Sequence, residues 1–202
     1  MNTFDQVPLH PSDFAENPED RCPVLLLLDT SLSMQGAKID ALNQGLQQLH
    51  AELLEDKLAA KRVEIGIVGF GPVRVVSDFQ SVNQALMPTL VAEGNTPMGA
   101  AIAMGLELLK TRKATIRSHG LNVYRPWVFM ITDGESTDAI DQARDLIREG
   151  EASKAFMFYA VGVEGANMDK LKQLSVREPM RLKGLQFREL FQWLSASISA
   201  AS

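Results

Sequence analysis

Asp29, Ser31 and Ser33 stand at the end of an apolar run, residues 24–28, spaced as Asp-x-Ser-x-Ser. One carboxylate and two hydroxyls are hard oxygen ligands, a chemistry suited to Mg²⁺ or Mn²⁺ rather than to Zn²⁺. Two more oxygen donors lie far along the chain. Thr96 sits in Gly94-Asn95-Thr96-Pro97-Met98-Gly99, and Asp133 lies between Thr132 and Gly134. Each group also has a plainer reading. The hydroxyls at 31 and 33 suit the cap of a following helix, and Thr96 taken alone is a natural N-cap ahead of a proline at the first helical position.

The choice turns on whether the chain brings these residues together. Residues 24–28 form a continuous apolar run bounded by turn formers, as expected for a strand buried on both faces of a parallel sheet. Residues 126–132 read the same way and run into Asp133. Between them, Ile39, Leu42, Leu46, Leu49 and Leu53 recur at helical spacing and predict a helix over 36–60. Residues 63–70 and 73–79 predict two strands joined at Gly71-Pro72 as an antiparallel hairpin at the sheet edge. A helix is expected from Thr96 to about residue 117, and another, capped by residues 136–138, to about 150. A strand over 155–163, a short helix over 167–174, an edge strand within 179–184 and a terminal helix over 187–198 complete the pattern.

This alternation predicts a three-layer α/β/α, doubly wound sheet, mainly parallel with one antiparallel edge strand. Ligands of such sheets bind beyond the carboxyl ends of the strands. Two central parallel strands tipped by Asp29 and Asp133 share that end. The loop carrying Thr96 precedes the helix that feeds the second of them, so it is expected there too.

Composition narrows the function classes. The 202 residues are 46% hydrophobic, enough for one substantial core. A net charge of −5 argues against a nucleic-acid partner, which usually calls for a basic patch. Cys22 is the lone cysteine, so no internal disulfide or cysteine metal cluster is possible, and it reads as a core thiol. Residues 1–22 are polar and broken by Pro8, Pro11 and Pro18, predicting a flexible arm, with residues 23–202 forming one domain. No signal-like apolar segment and no run near the ~18 residues of a membrane helix is visible, so a cytoplasmic protein is expected, with no membrane contact.

The Asp-x-Ser-x-Ser stretch, the distant Thr96 and the strand-ending Thr-Asp-Gly together resemble the von Willebrand factor A domain and its metal-ion-dependent adhesion site. Five stretches resemble the TerY-like stand-alone A domains of bacterial tellurite-resistance clusters: Pro-Val-Leu-Leu-Leu-Leu-Asp-Thr-Ser at 23–31, Gly-Asn-Thr-Pro-Met-Gly at 94–99, Tyr-Arg-Pro-Trp-Val at 124–128, Ile-Thr-Asp-Gly-Glu at 131–135 and Phe-Arg-Glu-Leu-Phe-Gln-Trp-Leu-Ser at 187–195. Leu32 departs from the commonest motif, where glycine is frequent.

The resemblance implies that Ser31, Ser33 and Thr96 bind Mg²⁺ or Mn²⁺ through hydroxyls, with Asp29 and Asp133 acting directly or through water. It implies a non-enzymatic module that takes an acidic side chain of a partner protein, and a setting in tellurite resistance or stress response beside a kinase and a phosphatase encoded nearby. Met34, Gln35, Met98, Glu135 and Ser136 are the candidate rim for the partner, with core filling the plainer reading of the two methionines. By the same analogy the terminal helix shifts when the site is occupied. The alternative is a metal-dependent phosphohydrolase using Asp29 and Asp133. It lacks the second aspartate two residues on that such enzymes use as a general acid; Ser31 stands there.

Overall fold

A computed structural model describes residues 12–184 and 186–201. Its centre is β1 (Cys22–Asp29), every residue of which is buried. The apolar run of the sequence is this strand, and its side chains alternate between two cores. Val24, Leu26 and Leu28 face one, and Leu25 and Leu27 face the other.

The first core is covered by α2 (Ala37–Glu55) and α7 (Phe187–Ala201). The second is covered by α4 (Met98–Ser118), α5 (Asp141–Ala152) and α6 (Met168–Leu174). On the second face α4 approaches closely at Gly105, where an added Cβ would lie 2.6 Å from Leu27 Cδ2.

The sheet has six strands in the order β3-β2-β1-β4-β5-β6. β2 (Val63–Phe70), β1, β4 (Trp127–Thr132), β5 (Met157–Gly162) and the two-residue β6 (Met180–Arg181) run parallel. β3 (Arg74–Ser81) is the antiparallel edge strand, paired with β2. The three-layer architecture expected from the sequence is the one observed. The chain steps outward in one direction from β1 through β2 to β3, and in the other from β4 through β5 to β6. β1 and β4 are therefore the switch point of the sheet, where a crevice opens beyond the carboxyl ends of the strands.

Several boundaries differ from the sequence reading. The expected helix over 36–60 is interrupted after Glu55. Asp56 turns the chain by accepting from the Leu58 and Ala59 amides, which start the separate one-turn α3 (Ala59–Arg62). Of the expected flexible arm, residues 1–11 lie outside the described residues. Residues 12–21 are docked. The short α1 (Ser12–Glu16) presents Phe14 to the guanidinium groups of Arg21 and Arg112 at 5.5 and 5.2 Å. Arg21 and Arg112 both pair with Glu64, and all three are buried. A polar composition hid this contact because the segment is held by a single buried ring, Phe14, and by the Glu19–Arg62 and Arg21–Glu64 charge pairs rather than by a periodic apolar face. Cys22 is fully buried and burial pushes its thiol up to about 12, as a core thiol requires.

Candidate functional site

The register of β1 on β4 pairs Leu28 with Ile131, which sets Asp29 beside Thr132 at the strand ends. Thr132 Oγ1 donates to Asp29 Oδ2 at 2.6 Å, and the Ser31 amide donates to Asp29 Oδ1 at 2.9 Å. Asp29 is fully buried. Burial raises its carboxyl above the ordinary range; the Ser31 and Thr132 bonds oppose this, and the nearby Asp133 charge adds to it.

Beyond Asp29 the chain makes a short 3-10 turn (Leu32–Met34) that brings both serine hydroxyls to one side. Ser31 Oγ and Ser33 Oγ share a hydrogen bond of 2.8 Å. Ser33 Oγ then donates to Asp133 Oδ1 at 2.6 Å. Thr96 Oγ1 and Ser33 Oγ both lie close to Gly134, 3.5 and 3.9 Å from the point a Cβ there would occupy. The structure thus brings Asp29, Ser31, Ser33, Thr96 and Asp133 into one cluster at the switch point. Ser31, Thr96 and the two acids are buried, while Ser33 faces solvent and marks the open side.

Three loops build this cluster and are tied to one another through the backbone. The Glu93 amide donates to Thr30 O at 2.7 Å, the Leu32 amide to Gly94 O at 3.2 Å, and the Thr137 amide to Thr96 O at 2.9 Å. Gly71, at φ +151°, lies beneath them: a Cβ there would sit 2.5 Å from Glu93 O and 2.7 Å from Ser31 N. Only glycine leaves room for that approach.

Thr96 does not cap α4. Pro97 holds the N-cap position, where no side-chain cap bond forms. The capping carboxylate comes from Asp138, whose Oδ1 and Oδ2 accept from the Gly99 and Ala100 amides at 2.9 and 2.8 Å. Burial alone would raise the Asp138 carboxyl, but the bonds from Ser136 Oγ and from these amides outweigh it and hold the group below the ordinary range. Residues 136–138, read from the sequence as the cap of the helix that follows, therefore cap the one before, and α5 begins at Asp141.

The expected rim is only partly on the surface. Met34 and Met98 are buried, since the 3-10 turn and the first turn of α4 point them into the two cores. Gln35 is exposed. Glu135 is exposed but occupied, accepting from Asn167 Nδ2 and Lys170 Nζ at 2.7 and 2.9 Å. Ser136 is spent on Asp138. Leu32 is 58% exposed beside the site and is a rim residue the sequence reading passed over. Its backbone is not in the left-handed region, so the glycine of the commoner motif is dispensable here.

Lys38 was missed as well. Its ammonium reaches Asp133 Oδ2 at 2.5 Å from the first turn of α2. The available signal was its position, since a cation at a helix N-terminus opposes the helix dipole unless an anion holds it.

The donors fit a hard divalent ion. Among the described residues no three His, Cys, Asp or Glu side chains gather as a metal-binding group. The cluster instead offers two acids and three hydroxyls, with a solvent-facing side for water, which is oxygen chemistry of the kind Mg²⁺ accepts.

Residues 24–185 match the family model described as von Willebrand factor type A domain. The chain is similar in fold to the pilus adhesin SpaC from Lactobacillus rhamnosus GG in its open conformation, with TM-score 0.71, 12% identity and coverage of 89% of this chain but 30% of that one. It is also similar to the vWF domain of the type V pili tip protein Mfa5 from Porphyromonas gingivalis, with TM-score 0.63, 11% identity and coverage of 90% and 96%. For proximal thread matrix protein 1 from the mussel byssus the TM-score is 0.61 at 13% identity, covering 88% of this chain and 48% of that one. No curated protein sequence matches the chain closely enough to add to this.

Proposed function

The chain belongs to the von Willebrand factor type A domain family, and we propose that it is a Mg²⁺-dependent, non-enzymatic protein-interaction module that takes an acidic side chain of its partner. The observation that carries this reading is the unbroken path Ser31 Oγ–Ser33 Oγ–Asp133 Oδ1, with Thr96 Oγ1 beside it and one side open at Ser33. A bound Mg²⁺ supplies an electrophilic position that a carboxylate can fill.

The chain's own residues do the rest. Ser31, Ser33 and Thr96 present neutral oxygens, which leave a cation charge to satisfy. Asp29, held by Thr132 and the Ser31 amide, anchors the turn that aims the two serines. Asp133 orients Ser33 from the loop that follows β4. The exposed Leu32 and Gln35 form apolar and polar contact points around the opening.

The motifs at 23–31, 94–99, 124–128, 131–135 and 187–195 support a TerY-like role in tellurite resistance or stress response, in the cytoplasm, with partners that include a kinase and a phosphatase encoded nearby. No described helix is long and apolar enough to cross a membrane.

Calorimetric titration with Mg²⁺ and Mn²⁺, on the wild type and on Ser33→Ala and Asp133→Ala, tests the ion. Heat in the wild type and its loss in both variants is expected; no heat in the wild type overturns the reading. Capture of partners with Mg²⁺ and not with EDTA tests the interaction. Phosphatase turnover that disappears in Asp29→Ala would move the protein to the hydrolase class.

A further inference from the structure

Lys38 places a tethered cation on the same carboxylate that the proposed divalent ion needs. Its Nζ is 2.5 Å from Asp133 Oδ2 and 3.4 Å from the Ser33 carbonyl oxygen, while Ser33 Oγ holds Asp133 Oδ1. Both oxygens of Asp133 are thus engaged, and its side chain is 1% exposed, so no face of it is left for water. The Lys38 side chain is 28% exposed and keeps a path to solvent. It stands in the first turn of α2, where the helix dipole disfavours a cation, and the acid cluster is what holds it there.

We infer that Lys38 competes with the divalent ion for Asp133, acting as a built-in counter-ion that weakens bare-ion binding and leaves the site dependent on a partner's carboxylate for full occupancy. This rests on the metal-dependent reading above. Without an ion, the ammonium offsets the repulsion between the neighbouring Asp29 and Asp133 carboxylates. An ion entering beside Ser33 meets that ammonium at close range, where like charges repel strongly. The Lys38 side chain must swing toward solvent, or the ion must bind against its charge. A carboxylate brought by the partner satisfies both cations at once.

The test is a Mn²⁺ titration followed by electron paramagnetic resonance, repeated with Mg²⁺ by calorimetry, on the wild type, Lys38→Met and Lys38→Arg. Lys38→Gln serves in place of the methionine variant if that protein does not fold. Lys38→Met is expected to bind Mn²⁺ about tenfold more tightly than the wild type, with Lys38→Arg close to the wild type. A residue that merely supports the site would give the opposite result, since its loss would loosen Asp133 and weaken binding. Equal or weaker binding in Lys38→Met overturns the competition and leaves the metal site standing. Absence of binding in the wild type and the variant alike overturns both.

Discussion

Thr132 Oγ1 donates to Asp29 Oδ2 across 2.6 Å, joining the ends of the two strands at which the sheet reverses its winding. Asp29 is fully buried, so this bond and the one from the Ser31 amide are what it receives in place of water. The same Thr132 hydroxyl accepts from the Gly134 amide at 3.2 Å, tying the Asp133 loop to the Asp29 strand.

Thr132→Val preserves shape and removes this hydroxyl. A buried acceptor left short of a donor costs about 1–3 kcal/mol. Urea denaturation is expected to show a loss in that range, and Mg²⁺ titration a weaker site. A variant as stable as the wild type would mean that Asp29 finds another donor.

Asp138 is the cap of α4, and its contribution has a defined pH window. The folded carboxyl is held below its ordinary value of 3.8, so its stabilisation is fully present above that pH and is lost as pH falls through the folded value. Asp138→Asn keeps the shape and removes the charge from the α4 N-terminus, and is expected to be about 0.3–1 kcal/mol less stable than the wild type at pH 7. The melting-temperature gap between the two should narrow as the pH falls below 3.8. A gap that is constant with pH would assign the cap to shape rather than charge.

Most of the frame was legible because it rests on local pattern. Residues 24–28 and 126–132 have no polar face, and only a strand covered on both sides accepts that. Asp29 and Asp133 could be placed at one end from topology alone. Thr132, Asp138 and Lys38 could not, because each acts on a residue between about 39 and 103 positions away, and only the strand register and loop path reveal the pairing. Met34 and Met98 show the reverse error. They are neighbours of site residues in sequence, but the direction of a side chain follows from the turn it stands on.

Glu64 is predicted to be the most costly charge to remove. Its Oε1 pairs with Arg112 Nη2 at 2.6 Å and Arg21 Nε at 3.3 Å, and its Oε2 accepts from Arg112 Nε at 2.7 Å. Glu64→Gln leaves two guanidinium groups buried without their anion, with an expected loss of about 3–5 kcal/mol by urea denaturation. The loss should be nearly the same in low and high salt, because the pair is shielded from solvent ions.

Gly45 on α2 lies directly under the ring of Phe191 on α7, so that a Cβ added at Gly45 would overlap Phe191 Cδ2. Alanine in an exposed helix position would stabilise by about 1 kcal/mol relative to glycine. Here the added methyl meets an aromatic ring in the core, and overpacking of this kind costs about 1–3 kcal/mol. The second effect outweighs the first only if α7 is firmly seated on α2. Gly45→Ala is therefore expected to lower stability and to speed amide exchange along α7, with β1 exchange unchanged relative to global unfolding. A variant more stable than the wild type would show that α7 yields readily, as a terminal helix that shifts with occupancy of the site would have to do.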